Sequence, residues 1–259
     1  MRTLIVGLVA LVAVLLAVDF GAAAYAEYRV SRALRDGGDL VADPDVTVHG
    51  FPFLTQFADG RYSRVEIRAR EVPTPYVEKT TIEATLRDVR IPPSELVDGA
   101  VRTVPVGELD ARVRIEATDL GRFLDIPDLQ VSAPPADRSD GTGGSGGSGE
   151  TTAGAVVLSG TVPVGPVDTA VSVTAELRLD GRGVSIVATD LYFGPEGRAD
   201  YTIPDFLKPA VLGLFTRTID EQQLPFGLRP TEVTAEGGQI VIEGEADDVT
   251  VDLSEIRTS

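Results

Sequence analysis

The 259-residue sequence contains no cysteine. That single absence removes disulfides, thiolate nucleophiles, Cys-ligated metals and a lipid-modified N-terminal cysteine, and it leaves the redox compartment undecided, since absence fits either side of a membrane. Asparagine is also missing, so there is no N-glycosylation acceptor. Histidine occurs once, at His49, which excludes a histidine-rich metal site. With no cysteine to pair with and no G-x-S-x-G elbow in the chain, His49 reads as a half-buried turn residue before it reads as a general base. Lysine is confined to Lys79 and Lys208, an arginine bias that reads as coding preference. Positive charge is short overall: 23 basic residues face 40 acidic ones, for a net charge of -17. Because the basic residues are dispersed, nucleic acid is a poor partner, and the same balance opposes purely electrostatic adhesion to an anionic membrane. Apolar contact must supply most of any lipid affinity.

What the chain does hold is 43% apolar residues, enough for a substantial core, in a length that suits a single all-β or α/β domain. Met1-Arg2 precedes a continuous apolar run, Leu4 to Val18, broken by Asp19 and followed by "FGAAAYAEYRV". A short positive start, an apolar middle and A-x-A spacing at Ala22/Ala24 and Ala24/Ala26 form a secretory signal over residues 1–26. Leu4 to Ala26 is equally long enough to remain as a membrane span with Asp19 near the outer interface, N-terminus inside. Secreted or anchored, the domain of residues 27–259 is expected outside the cytoplasm. Beyond the signal, Val30, Ala33 and Leu34 at helical spacing predict a short amphipathic helix stopped by Gly37-Gly38.

From Val46 onward the pattern has period two. Val65, Ile67 and Ala69 alternate with Arg64, Glu66, Arg68 and Arg70, and Ile82, Ala84 and Leu86 alternate with polar neighbours. The same alternation recurs at "ARVRIEATD", "AVSVTAELRLD", "GVSIVATDLYF", "EVTAEG", "QIVIEGEA" and "DVTVDL", each reading as a strand with one dry and one wet face. Asp59-Gly60, Asp180-Gly181 and Gly237-Gly238 read as hairpin turns. The class is therefore α+β and mainly β, with a large antiparallel sheet or a pair of sheets. Helices are expected at "SELVDGAV", with Ser94 as N-cap, at "TDLGRFLDI" from Thr118, and at "IPDFLKPAVLGLF", where Pro209 falls in the first turn. Residues 136–150, "ADRSDGTGGSGGSGE", spell G-x-G-x-x-G at Gly141, Gly143 and Gly146, but a Gly/Ser run followed by strand-like "AVVLSG" reads as a flexible insertion, not a dinucleotide loop.

Carboxylates are the remaining source of chemistry. Glu243, Glu245, Asp247, Asp248 and Asp252 crowd the C-terminal region and suggest Ca²⁺, yet Glu243 and Glu245 alternate with Ile242 and Gly244 as a solvated strand face does, and no EF-hand spacing occurs. Nothing local selects a glycosidase pair. The expectation is a non-enzymatic protein without cofactor or metal.

One stretch remains, "GFPFLTQFADGRYSRVEIRARE" at residues 50–71, which packs Phe51, Phe53, Leu54 and Phe57 around a proline before a Gly-Arg-Tyr turn. Together with "RIEATDLGRFL" and "LPFGLRPTEVTAEGGQIVIEGEADDVTVDL", it resembles the LmeA-type family of actinobacterial envelope proteins from about Asp19 to Leu253. The resemblance implies phospholipid binding, with phosphatidylinositol-type lipids the first suspects, and a role in mannolipid or envelope maintenance. It also implies a tubular lipid-binding-like fold, a long curved antiparallel sheet wrapping one or two helices and leaving an apolar lipid groove. On that reading Phe51, Phe53, Leu54, Phe57, Val65, Ile67, Phe123, Phe206, Leu207, Val211, Phe215 and Phe226 line or gate the groove, and Arg61 and Arg64 meet the headgroup. The plain alternative for each aromatic is ordinary core, and for each arginine, solvent or a carboxylate. Two rivals stand beside lipid binding: an envelope adaptor domain with a filled core, and a carboxylate-dependent hydrolase.

Overall fold

The computed structural model describes residues 2–38, 40–72, 80–98, 101–132, 154–165, 167–179, 183–192, 203–220 and 228–252. Helix α1 runs unbroken from Arg2–Gly38. The sequence suggested a leader and a separate short helix. The two are continuous because the junction is rich in alanine, the best helix former, and Gly21 alone does not break it. Leu34, expected on the apolar face, is buried, and Gly38 ends the helix where the stop was read.

After α1 come β1 (Asp45–His49), α2 (Phe53–Asp59), β2 (Arg61–Val72), β3 (Thr80–Arg90), α3 (Pro93–Asp98), β4 (Thr103–Glu116), α4 (Ala117–Phe123) and β5 (Gln130–Ser132). They are followed by β6 (Ala155–Val164), β7 (Val167–Leu179), β8 (Gly183–Leu191), α5 (Lys208–Leu214), β9 (Arg217–Asp220), β10 (Arg229–Glu236) and β11 (Gln239–Asp252). The strands form two antiparallel sheets, ordered β1-β2-β3-β4-β11-β10 and β5-β6-β7-β8-β9. The mainly β class read from the alternation is the class observed. "QIVIEGEA" and "DVTVDL", read as two strands, are one strand, β11.

Two turn readings change. Asp59-Gly60 is not a two-residue hairpin: β1 and β2 do pair antiparallel, His49 opposite Arg64, but α2 lies between them and Gly60, at φ 62°, is its left-handed C-cap. Both motifs require positive φ, so the same dipeptide announces either. Gly237-Gly238, at φ 56° and 82°, does join β10 to β11 as a two-residue turn. Asp180-Gly181 and the insertion at 136–150 lie outside the described residues. Ser94 is not an N-cap, because α3 already begins at Pro93.

The chain clusters into two compact units. The first comprises residues 1–72, 82–111 and 245–259, the second residues 73–81 and 112–244. In the first, α1 packs on β1, α2 and α3. The dry face of β3, Ile82, Ala84 and Leu86, supplies core, as the alternation required. In the second, α5 packs on β6 and β8, and β10 also lies against β6, β7 and β8. Val156, Val157 and Leu158 of β6 and Gly183 to Ile186 of β8 are buried consecutively, so these strands are covered on both faces. The one-sided reading of "GVSIVATDLYF" holds only for its later half.

Candidate lipid-facing site

The segment around α2 begins with a local deficiency. The first N–H groups of any helix lack intrahelical acceptors, and the residue at the N-cap of α2 is Pro52, whose side chain can accept nothing. The acceptor comes from α1. Asp19, 5% exposed, takes the Phe53 N–H at 3.0 Å on Oδ2 and the Leu54 N–H at 2.9 Å on Oδ1. The charge that interrupts the apolar run is thus the cap of another helix.

Further groups close this knot. Gln56 reaches both flanking strands: its Nε2 donates to the His49 carbonyl and its Oε1 accepts the Ser63 N–H at 3.0 Å. A Cβ on Gly50 would lie 2.6 Å from Gln56 Nε2 and displace the Gln56 amide, and the φ of 110° would strain any side chain there. Phe53 is buried and its ring lies 6.2 Å from Phe57 and 6.1 Å from Tyr62. Tyr62 was not among the expected site residues. Its ring is core, yet its hydroxyl has no hydrogen-bond partner among the described residues, and burial pushes the phenol above its ordinary pKa. The tyrosine was legible as the third member of Gly-Arg-Tyr, but nothing in spacing marked it as buried.

The expected lipid contacts separate by exposure. In the first unit Phe53 and Val65 are covered by protein, Phe57 and Ile67 are half-buried, and Phe51 and Leu54 stand out at 63% and 40% exposed. Phe51 stacks on Phe20 of α1, itself 65% exposed, at 6.2 Å between centroids. In the second unit Val211 of α5 and Phe215 at its C-cap are buried, Phe123 and Leu207 are half-buried, and Phe206, just ahead of α5, is 80% exposed. Phe226 lies outside the described residues. The structure therefore assembles Phe51 to Ile67 in one unit and Phe123 to Phe215 in the other.

The polar candidates behave as a sheet surface does. Arg64 pairs with Glu66 at 3.6 Å, His49 Nε2 lies 3.1 Å from the same carboxylate, and Arg61 is exposed at the start of β2. Glu243 is engaged by Arg112 and Glu236 by Arg114. Among the described residues no three His, Asp or Glu side chains gather as metal ligands. Asp128 accepts from the Thr161 hydroxyl at 2.6 Å and its N–H at 2.9 Å, which hold its carboxyl below the ordinary range.

These features define a mainly β protein with an apolar N-terminal helix, long and apolar enough to cross a membrane, and large apolar side chains held at its surface beside that helix. The model of the LmeA-like phospholipid-binding family matches residues 17–245, most of the chain, and the chain belongs to that family. Membership makes it a lipid-binding protein. No curated protein and no solved structure matches it.

Proposed function

We propose that the protein binds a phospholipid by its acyl chains in an apolar groove and performs no catalysis, serving the cell envelope from the extracytoplasmic side of the plasma membrane. The family match across residues 17–245 carries this reading. The charge balance supports it, since a net charge of -17 leaves apolar contact as the main source of affinity. Each methylene buried contributes about 0.8 kcal/mol, so partial enclosure of one chain suffices for useful binding. Phe51, Leu54, Phe57 and Ile67 in one unit and Phe123, Phe206 and Leu207 in the other are the side chains that a lipid can reach as they stand. Phe53, Val65, Val211 and Phe215 become lining only when the elements above them move. Arg61 and Arg64 take the phosphate, with a phosphatidylinositol-type headgroup the first choice and mannolipid or envelope maintenance the process served.

Native mass spectrometry of the detergent-solubilised full chain, delipidated and then offered phosphatidylinositol, phosphatidylglycerol and phosphatidylethanolamine, tests the proposal. A stoichiometric adduct that returns with one class supports it and names the ligand. A bare polypeptide throughout supports a second reading, an envelope adaptor, which the enclosure of Phe53, Val65, Val211 and Phe215 favours.

A further inference from the structure

The turn of α1 at Asp19 divides the helix into two regimes. Before it, the large apolar side chains from Leu4 to Val18 are all exposed. After it the helix is stitched to the domain: Glu27 Oε1 accepts the Val48 N–H of edge strand β1 at 2.8 Å, Ser31 Oγ donates to the Pro44 carbonyl at 2.6 Å, and Arg35 pairs with Asp43 at 3.2 Å. Asp19, Glu27, Ser31 and Arg35 lie along one i±4 ridge, so a single inclined stripe makes these four ties, and Arg29 adds a bond to the Val97 carbonyl of α3. Arg2 to Phe20 measures about 27 Å at 1.5 Å per residue, close to the roughly 30 Å of a bilayer's hydrocarbon core.

The surface at that boundary is apolar. Phe20, Phe51 and Leu54 are exposed there, stacked on or adjoining one another through the Asp19 tie to α2. Just beyond, Tyr25 and Tyr28 are exposed with the guanidinium groups of Arg29 and Arg32 6.0 and 5.7 Å from their ring centres. Side chains on a helix lean toward its N-terminus, so both arginines reach back toward the apolar segment. Aromatic rings and arginines at this level match the headgroup belt of a membrane. Cleavage after Ala24 or Ala26 would remove Asp19 and leave the Phe53 and Leu54 N–H groups without these acceptors; it would also discard part of the segment that the family model matches.

We propose that α1 is retained as a membrane span and that Phe20, Phe51 and Leu54 seat the domain in the interface of the bilayer that α1 crosses, fixed there by the hydrogen bonds of Asp19 to α2. The seat does not depend on a lipid being held inside the domain. It places the α2 end of the first unit at the bilayer surface and the other end of β2 in water. Arg68 of β2 lies opposite Asp45 in the strand register, next to Pro44, whose carbonyl Ser31 of α1 binds about 18 Å along the helix from Asp19.

The absence of native cysteine makes single labels unambiguous. The full chain, carrying Phe51→Cys, Leu54→Cys or Arg70→Cys labelled with an environment-sensitive fluorophore, is reconstituted in phosphatidylcholine/phosphatidylglycerol vesicles. Quenching by shallow nitroxide lipids and by aqueous iodide is then compared, and the intact mass of the membrane-extracted, unlabelled chain is measured. The expected result is lipid quenching several-fold stronger at positions 51 and 54 than at 70, the reverse order with iodide, and a mass that includes α1. Equal access of iodide to all three positions, or a mass beginning after Ala24 or Ala26, overturns the proposal. Failure of lipid adduct formation with the labels still buried would instead count against the proposed cargo function alone.

Discussion

A carboxylate inside an apolar helix is costly unless its lone pairs are engaged, and Asp19 engages both oxygens on backbone N–H groups. Replacing it with alanine leaves those donors uncapped and should lower unfolding stability by about 1–2 kcal/mol, measured by denaturant titration of the solubilised full chain. Tyr62 presents the opposite case, a buried hydroxyl without a described partner. Tyr62→Phe should therefore leave thermal stability unchanged or raise it. Because burial raises the folded-state pKa of this phenol, the folded state retains its proton longer than the unfolded one, and the associated stability is lost as pH rises from about 10. The phenylalanine variant should lack that component of alkaline destabilisation. Asp128 works at the acid end: its lowered pKa means that the Thr161 contact contributes above the unfolded carboxylate pKa and fades as pH falls through the folded one. Asp128→Asn should flatten this part of the stability profile on acidification.

At the scale of elements, α2 shows why a short helix hides in a sequence. Phe53–Asp59 is seven residues, too short to display a 3.6-residue period, and its cap is 34 positions away in the chain. Its C-terminus is local and readable: Gly60 sits at φ 62° and a Cβ there would meet the Ile91 carbonyl at 3.0 Å. Gly121 is tighter still, with a Cβ position 2.4 Å from the Ile126 carbonyl. Gly60→Ala should cost about 1–2 kcal/mol and Gly121→Ala more, whereas Gly213→Ala, in α5 with open space around it, should stabilise by up to about 1 kcal/mol. Thermal unfolding of the three variants orders them. The strands were legible for the converse reason, since a sheet dry on one face imposes period two on every residue, as β3 and most of β4 show. Where both faces are covered, in β6 and β8, the alternation disappears and the sequence underestimates burial.

For the whole molecule, the decisive contrast is between charge and apolar surface. A chain of net charge -17 held to a membrane only by ionic contacts would wash off in salt, while one held by α1 would not. The full chain should stay with vesicles through a 1 M (roughly sevenfold physiological) salt wash, where the Debye length is only about 3 Å. Sedimentation of the vesicles checks this. The proposed lipid contacts fall in both compact units, so polar replacement of Phe51 and, separately, of Phe206 distinguishes their contributions to uptake without disturbing a buried side chain.

Composition and periodicity alone determined the absence of cysteine chemistry, the apolar N-terminal helix, the β-rich class and the strand faces, because each follows from properties that a residue carries into any neighbourhood. Exposure of Phe51 beside burial of Phe53, the division of the aromatic residues between two units and the role of Asp19 were decided only in three dimensions. Two phenylalanines separated by one proline are chemically alike in a sequence. They differ here because a carboxylate from a distant helix pins the backbone between Phe53 and Leu54, turning one ring into the core and leaving the other on the surface.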